Sequence, residues 1–177
     1  MNNTLKGILL ALVTLAMVFV MQLTGKPLKT ATTPIGILNL EFASTSASVQ
    51  NVVTAWQDKE VMNAAKLNAW LDFLFLISYG ALFYFLCKQF ASRFKTNSLL
   101  HRMAIIGSIL AVVAAVMDML ENAGMLMSLN GNVSTGVAAF TFISSFIKWA
   151  AVAYCVCFIL VALIAILARS MKQKGQN

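Results

Sequence analysis

Four long apolar runs divide this chain, and they constrain its fold more than any other feature. They cover about residues 5–23, 67–90, 103–129 and 136–168. A bilayer has a hydrocarbon core about 30 Å thick, which about 20 helical residues cross at about 1.5 Å each. A single segment keeps all its backbone hydrogen bonds internal only as a helix. We therefore predict an all-α, polytopic membrane protein: a four-transmembrane-helix bundle that forms one membrane domain over residues 1–177.

The overall composition agrees with a membrane protein. Hydrophobic residues make up 60% of the chain and charged residues only 11%, whereas about a quarter of a soluble domain is charged. The net charge of +7 could suggest a nucleic-acid partner, but the lysines and arginines are scattered at the ends of the apolar runs. Because no basic stripe is interleaved with aromatic residues, we expect no nucleic-acid binding, and membrane lipid as the surrounding partner.

The first apolar run permits two interpretations. It follows a short polar start and lies beside Lys6, an arrangement typical of a signal peptide. Its length, however, exceeds the usual signal core, and residues 24–27 make a poor cleavage site. We favour a retained membrane helix and keep a cleaved signal peptide as the alternative.

Residues 26–66 form the long segment between the first two predicted spans. Pro27 and Pro34 mark a loop, and the Ser/Thr-rich residues 44–48 suit a helix N-cap. Apolar residues then follow the i, i+3, i+4, i+7 spacing of an amphipathic helix: Val49, Val52, Val53 and Trp56. We predict that this helix continues into the second span and lies over the bundle or in the headgroup layer. A lid over a site and an interfacial anchor fit equally well.

The basic residues predict an orientation in the membrane. One side would carry Lys6, Lys88, Arg93, Lys95, Arg102, Arg169, Lys172 and Lys174. The other side would carry Lys26, Lys29, Lys59 and Lys66, diluted by Glu41, Asp58 and Glu60. Since cytoplasmic loops carry an excess of lysine and arginine, we predict a multi-pass, N-in/C-in topology. The loop 26–66 is then extracytoplasmic.

A polar cluster interrupts the third apolar run. Asp118, Glu121 and Asn122 have i, i+3, i+4 spacing and so share one helix face. Ionisable groups in membrane spans usually face a partner or a water-filled cavity, and Asp72 and Lys148 in the neighbouring runs are the candidates. Counted from the cytoplasmic basic residues, all four ionisable groups lie about 24–31 Å up, near the outer boundary of the core. This shared level predicts that Asp72, Glu121 and Lys148 lie within reach of one another.

Two further helix-face patterns accompany the cluster. A stripe of polar residues on the fourth run is predicted to extend the pocket beneath the first loop: Thr141, Ser144, Ser145 and Lys148. Small residues on the third run are predicted to form a seam against a neighbouring helix: Gly107, Ala111, Ala114 and, sharing their face, Asp118.

Cysteine and histidine usage gives no metal-binding pattern. Cys155 and Cys157 are two residues apart, so on a helix they point in different directions and cannot chelate together. Cys87 lies in another run, and the chain has one histidine. We expect buried, inert thiols, with neither a metal nor another cofactor.

Several short motifs occur in a recognisable order. They are Asn39-Leu40-Glu41-Phe42, Leu71-Asp72-Phe73 with Tyr79, Asp118-x-x-Glu121-Asn122 and Lys148-Trp149. Over about residues 36–160 the pattern resembles that of a group of small, uncharacterised four-helix bacterial membrane proteins. The resemblance implies the fold and a bacterial cytoplasmic (inner) membrane, but no activity. A weaker likeness to sterol-isomerase and sigma-2-receptor-like bundles rests on helix count and intramembrane acids, so it transfers no chemistry.

The candidate site residues are the polar members of these patterns: Glu41, Asp72, Tyr79, Asp118, Glu121, Asn122, Ser145 and Lys148. Their excess of carboxylates favours an outward-facing pocket for a small cationic or amphipathic ligand, or a transport-accessory role. A lipid-modifying enzyme that uses a carboxylate acid/base pair stays open, as does a structural subunit whose cluster fixes helix register. Such a bundle is compatible with a homodimer or a larger membrane complex.

Overall fold

The structure is a computed structural model that describes residues 2–174, and the side chains through Met171. All of its regular elements are helical: α1 (Asn3–Gly25), a 3₁₀ turn (Lys26–Leu28), α2 (Leu38–Glu41), α3 (Ser46–Ala55), α4 (Lys59–Arg93), α5 (Leu99–Leu129) and α6 (Thr135–Lys174). Four of them, α1, α4, α5 and α6, are long and apolar enough to cross a membrane. The predicted all-α four-helix bundle is confirmed. Lys172 and Lys174, which contribute to the predicted orientation, have side chains outside the described part.

Local capping explains where the helices begin. The side chain of Asn2 accepts a hydrogen bond from the Thr4 amide at the start of α1. The side chain of Asp58 accepts from the amides of residues 60 and 61 at the start of α4, and Ser98 caps α5 in the same way. Each cap satisfies backbone donors that have no partner within the helix.

The amphipathic helix of the first loop forms where the sequence predicts it. Thr45 is its N-cap, and Thr45 and Ser48 exchange side-chain-to-backbone hydrogen bonds in a capping box. Val49 and Val52 are buried against the ends of the membrane helices, with Met125 and Leu129 of α5 in the same apolar cluster. The helix therefore packs on the bundle.

The predicted continuation of this helix into the second span is wrong. α3 ends at Ala55, and α4 begins separately at Lys59. Trp56 lies at the break, fully buried, and its indole Nε1 donates to the carbonyl oxygen of Leu28 at 3.0 Å and to Thr33 Oγ1 at 3.1 Å. These contacts hold the chain in a turn.

The four long helices pack unequally. α4 packs extensively on α5, and α5 on α6, whereas α1 packs mainly on α4 and makes no substantial contact with α6. The predicted small-residue seam on α5 is buried along its length. A Cβ added at Gly107 would meet Cys87 of α4 and Phe158 of α6, so α5 is closely packed between these two helices.

Two ends of the bundle can be distinguished. Residues 26–58, with α2 and α3, cover the end where α1 stops and α4 starts, which we call the covered end. The connection from Arg93 to Ser98 lies at the opposite end, which we call the basic end. Because α1 and α6 do not pack together, a space remains between them, below the covered end.

Candidate functional site

Lys148 lies at the centre of a buried ionic cluster. Its ammonium Nζ is 2.7 Å from Glu121 Oε1, 3.2 Å from Glu41 Oε2 and 3.3 Å from Asp118 Oδ1. Lys148 is only 5% exposed and Glu121 is fully buried. One cation from α6 thus pairs with carboxylates from two other elements, which offsets part of the large free-energy cost of burying charge.

Glu41 belongs to α2 of the covering loop and reaches this cluster because α2 is partly buried against the membrane helices, with Leu40 and Glu41 both buried. The backbone carbonyl of Glu41 accepts a hydrogen bond from Ser145 Oγ at 3.1 Å. Its carboxylate Oε2 accepts another from Trp149 Nε1 at 3.1 Å, in addition to the Lys148 contact. Three residues of α6 therefore fasten the covering loop to the membrane helices.

Asp118 is held from two sides. Its Oδ1 faces Lys148, and its Oδ2 accepts a hydrogen bond from the Tyr79 hydroxyl at 2.7 Å. Phe75 and Phe83 flank the Tyr79 ring, with centroid distances of 5.2 and 5.8 Å. Because Tyr79 belongs to α4, the hydrogen bond joins α4 to the cluster on α5 and α6.

Asp72 does not make the ion pair expected of it. No cationic group among the described residues lies within 4.0 Å of its carboxylate, although the residue is only 7% exposed. Asn122 lies beside it, but the amide does not reach hydrogen-bonding geometry. Asp72 lines the same cavity as Asp118 and Lys148, but its carboxylate lies more than 4.0 Å from the Lys148 ammonium.

Other polar atoms in this layer also have no partner within residues 2–171. They are Glu121 Oε2, both side-chain polar atoms of Asn122 and Asn68 Oδ1. Such atoms are rare in folded proteins, where nearly all buried polar groups are hydrogen-bonded. The region around the ionic cluster therefore contains several buried polar atoms that make no hydrogen bond with the described residues.

A cavity of about 820 Å³ lies beside the cluster, between α1, α4, α6 and the covering loop. Five candidate residues line it: Glu41, Asp72, Tyr79, Asp118 and Lys148. The others, Glu121, Asn122 and Ser145, lie outside the lining, and Glu121 supports Lys148 from behind. Most of the cavity wall is apolar, which is common for ligand pockets with a few convergent polar groups.

Of the predicted polar stripe of α6, Lys148 lines this cavity, but Thr141, Ser144 and Ser145 do not. Ser145 donates to the carbonyls of Glu41 and Thr141, and Thr141 donates to the carbonyl of Val137. A Cβ added at Gly124 of α5 would collide with Thr141. Ser145 therefore faces α2, and Thr141 faces α5, where a glycine allows close packing. The expectation that the whole stripe extends the pocket is wrong.

Two residues beside the site are missing from the candidate residues. Trp149 appears in the sequence analysis only within the Lys148-Trp149 motif, but its Nε1 donates to Glu41 and it lines the cavity. Asn68 precedes Asp72 by one helical turn, and its Nδ2 donates to Thr24 Oγ1 at 2.7 Å and to the Met21 carbonyl at 3.1 Å. The i, i+4 spacing of Asn68 and Asp72 is a signal that could have identified Asn68.

No family model, curated protein or solved structure matches the chain. The fold and the site define its class as a multi-pass helical membrane protein with a buried lysine–carboxylate cluster beside a cavity. Within residues 2–171, no group of three or more histidine, cysteine or acidic side chains is arranged to hold a metal ion.

Proposed function

We propose that this protein binds an amphipathic ligand with a cationic head in the cavity between α1 and α6. The head would lie against Asp72 and Asp118, and the tail along the apolar walls below them. Asp72 carries the proposal: it is buried, lines the cavity and has no cationic partner within the described residues. A cationic head would supply that partner.

The balance of charge supports a cation. Around the level of Asp72, the carboxylates of Glu41, Asp72, Asp118 and Glu121 lie near one ammonium, that of Lys148, whereas Lys26 and Lys29 line the cavity nearer the covered end. Lys148 contacts the other three, so Asp72 is the carboxylate without a cation within 4.0 Å among the described residues, and it lies on the cavity wall. An anionic head at the same place would meet repulsion.

The surroundings of the cavity support a tail. Phe75 and Phe83 follow Asp72 on α4 toward the basic end and line the cavity there. α1 and α6 both contribute to the wall but do not pack on one another. A hydrocarbon chain from the bilayer could therefore enter between these two helices.

For the setting, we propose a bacterial cytoplasmic membrane with N-in/C-in topology. The connection at the basic end and the end of α6 carry an excess of lysine and arginine, which supports a cytoplasmic location for both. The covered end and the cluster then lie toward the outer boundary of the membrane.

A lipid-modifying enzyme is the second candidate, and one observation favours it. Asp118 and Asp72 face one cavity in unlike environments, because Asp118 is bound by Lys148 and Tyr79 and Asp72 by neither. Two carboxyl groups in different environments can divide the roles of acid and base. Turnover of a bound lipid, followed by mass spectrometry, would distinguish this enzyme from a binding protein.

Binding is tested with two amphiphiles of equal chain length and opposite charge. The protein in a neutral maltoside detergent is titrated with decyltrimethylammonium or decyl sulfate, and bound species are counted by native mass spectrometry. We expect the cation to bind preferentially, and Asp72→Asn to weaken its binding about tenfold or more. Glu60→Gln, which removes an exposed carboxylate outside the cavity, is the matched control. Equal binding of both amphiphiles, or equal affinities of the two variants, would refute the proposal.

A further inference from the structure

The cavity orders its charges along the bundle axis, and this order specifies the ligand more closely. We infer that the ligand is zwitterionic, with its positive nitrogen between a hydrocarbon tail and an outer anionic group. Lys26 and Lys29, which line the cavity nearer the covered end and are called the mouth lysines, would bind the anion, and Asp72 and Asp118 the nitrogen. This inference rests on the proposed function, since it takes the cavity to bind an amphiphile with a cationic nitrogen.

The helix α4 shows the order from acid to apolar wall. Asp72, Phe75, Tyr79 and Phe83 all line the cavity, and their spacing places them along one side of the helix. Phe83 lies about 16 Å from Asp72 along the axis, toward the basic end. The part of the cavity between Asp72 and the basic end is thus long and lined mainly by aromatic side chains, which suits a hydrocarbon tail.

The helix α1 shows that the lysines lie on the other side of the acids. Asn68 of α4 bonds the Met21 carbonyl and Thr24, which fixes the register of the two helices. Asn68 is itself one turn, about 6 Å, closer to the covered end than Asp72. α1 runs toward the covered end and stops at Gly25, and Lys26 follows it directly. Lys26 therefore lies closer to the covered end than Asn68 does.

The two mouth lysines are available to a ligand. Both line the cavity and both are exposed. No carboxylate among the described residues lies within 4.0 Å of either ammonium group, since each such ion pair in that part of the chain involves Lys148. The Lys29 side chain lies against Gly36 of the covering loop, whose φ of +64° belongs to a tight turn.

Other head groups fit this order less well. In a phosphocholine-type head the anion lies between tail and nitrogen, so its phosphate would face the buried Asp72 while its nitrogen faced Lys26. A simple alkylammonium would satisfy Asp72 but leave both lysines without a partner. A betaine or an aminoalkyl phosphate, in which the amine lies nearer the tail, matches both charged zones.

The test compares three amphiphiles with the same decyl chain. They are decyl sulfobetaine (tail, ammonium, sulfonate), decylphosphocholine (tail, phosphate, ammonium) and decyltrimethylammonium. Each is titrated below its micellar concentration into the protein in neutral maltoside, and dissociation constants are obtained by native mass spectrometry. We compare the wild type with Lys26→Gln/Lys29→Gln and with a control, Lys59→Gln/Lys95→Gln, that removes two exposed lysines away from the cavity.

We expect the wild type to bind the sulfobetaine about three- to tenfold more tightly than either other amphiphile, the range for two partly exposed ion pairs. The Lys26→Gln/Lys29→Gln variant should lose this preference and keep its affinity for decyltrimethylammonium, whereas the control should keep both. Equal binding of sulfobetaine and alkylammonium, tighter binding of phosphocholine, or a preference that survives the loss of both lysines would each overturn the inference while leaving the proposed function intact. If no amphiphile with a positive nitrogen binds, the proposed function fails as well.

Discussion

Lys148 contacts three carboxylates at once, so removing it and removing one of its partners should not have additive effects. Lys148→Met would leave Glu41, Asp118 and Glu121 buried without a cation. We expect a loss of about 3–5 kcal/mol in the free energy of unfolding. Adding Glu121→Gln should restore part of that stability, because one fewer lone charge remains. Denaturation in detergent of the two single variants and the double variant gives the coupling energy.

A second double variant serves as the control for this cycle. Asp72 makes no ion pair with Lys148, so Asp72→Asn should couple to Lys148→Met much more weakly than Glu121→Gln does. Equal coupling for both acids would contradict the arrangement of charges described here.

Asp72 also separates a binding function from a structural one. A buried carboxylate without a cation opposes folding, so Asp72→Asn should raise the free energy of unfolding by about 0.5–2 kcal/mol while weakening ligand binding. A purely structural cluster predicts the reverse sign, a destabilised protein, because every member would then contribute to helix register. Thermal unfolding in detergent, without and with decyltrimethylammonium, measures both effects.

At the scale of the helices, the site depends on the close approach of α5 and α6. A Cβ added at Gly124 would collide with Thr141, and it would also crowd Phe140 at 3.3 Å. We therefore expect Gly124→Ala to destabilise the protein by about 1–3 kcal/mol, the usual range for overpacking. Retention of wild-type stability in this variant would show that the two helices can separate without cost.

Gly136 is the matched control. It lies in the first turn of α6 with nothing within 4 Å of an added Cβ. Since alanine favours a helix over glycine by up to about 1 kcal/mol, Gly136→Ala should be neutral or stabilising. Unfolding of both variants in detergent distinguishes a local packing effect from a general preference against alanine.

Sequence patterns predict the individual helices well because their causes are local. The capping box at Thr45 and Ser48 and the apolar spacing of α3 both depend on neighbouring residues alone. The break between α3 and α4 depends on Trp56 bonding Leu28 and Thr33, which are more than twenty residues away in the chain. A contact of that kind has no local signal, so the predicted continuous helix is wrong.

The site shows the same division between local and long-range causes. The i, i+3 spacing of Asp118 and Glu121 indicates a shared face, and both residues bind Lys148. Depth along the helix also predicts the common level of Asp72. It does not predict whether Asp72 reaches Lys148, because that depends on how α4, α5 and α6 rotate against each other. Asp72 consequently faces the cavity while Tyr79 reaches Asp118.

At the scale of the whole molecule, the unequal packing of the four helices creates the cavity. α4, α5 and α6 form a closely packed group, and α1 is attached through α4. The covering loop then connects α1 to this group and is fastened to α6 through Glu41. The hydropathy of the four runs does not say which helices pack against each other. The sequence therefore predicts the depth of the polar residues in the membrane but not the space between α1 and α6.

The orientation of the whole molecule is tested by cysteine labelling in intact cells. Thr96 lies in the connection at the basic end and Asn132 in the turn at the covered end, and both are exposed. Cys87 and Cys155 are buried as expected, but Cys157 is exposed, so the expectation of a buried thiol is wrong for it. Cys157→Ala therefore provides the background. In that background we expect Asn132→Cys to react with a membrane-impermeant maleimide from outside. Thr96→Cys should react only after permeabilisation, because the basic connection is expected on the cytoplasmic side.

If Thr96→Cys reacts in intact cells and Asn132→Cys does not, the topology is inverted and the cavity lies at the cytoplasmic boundary.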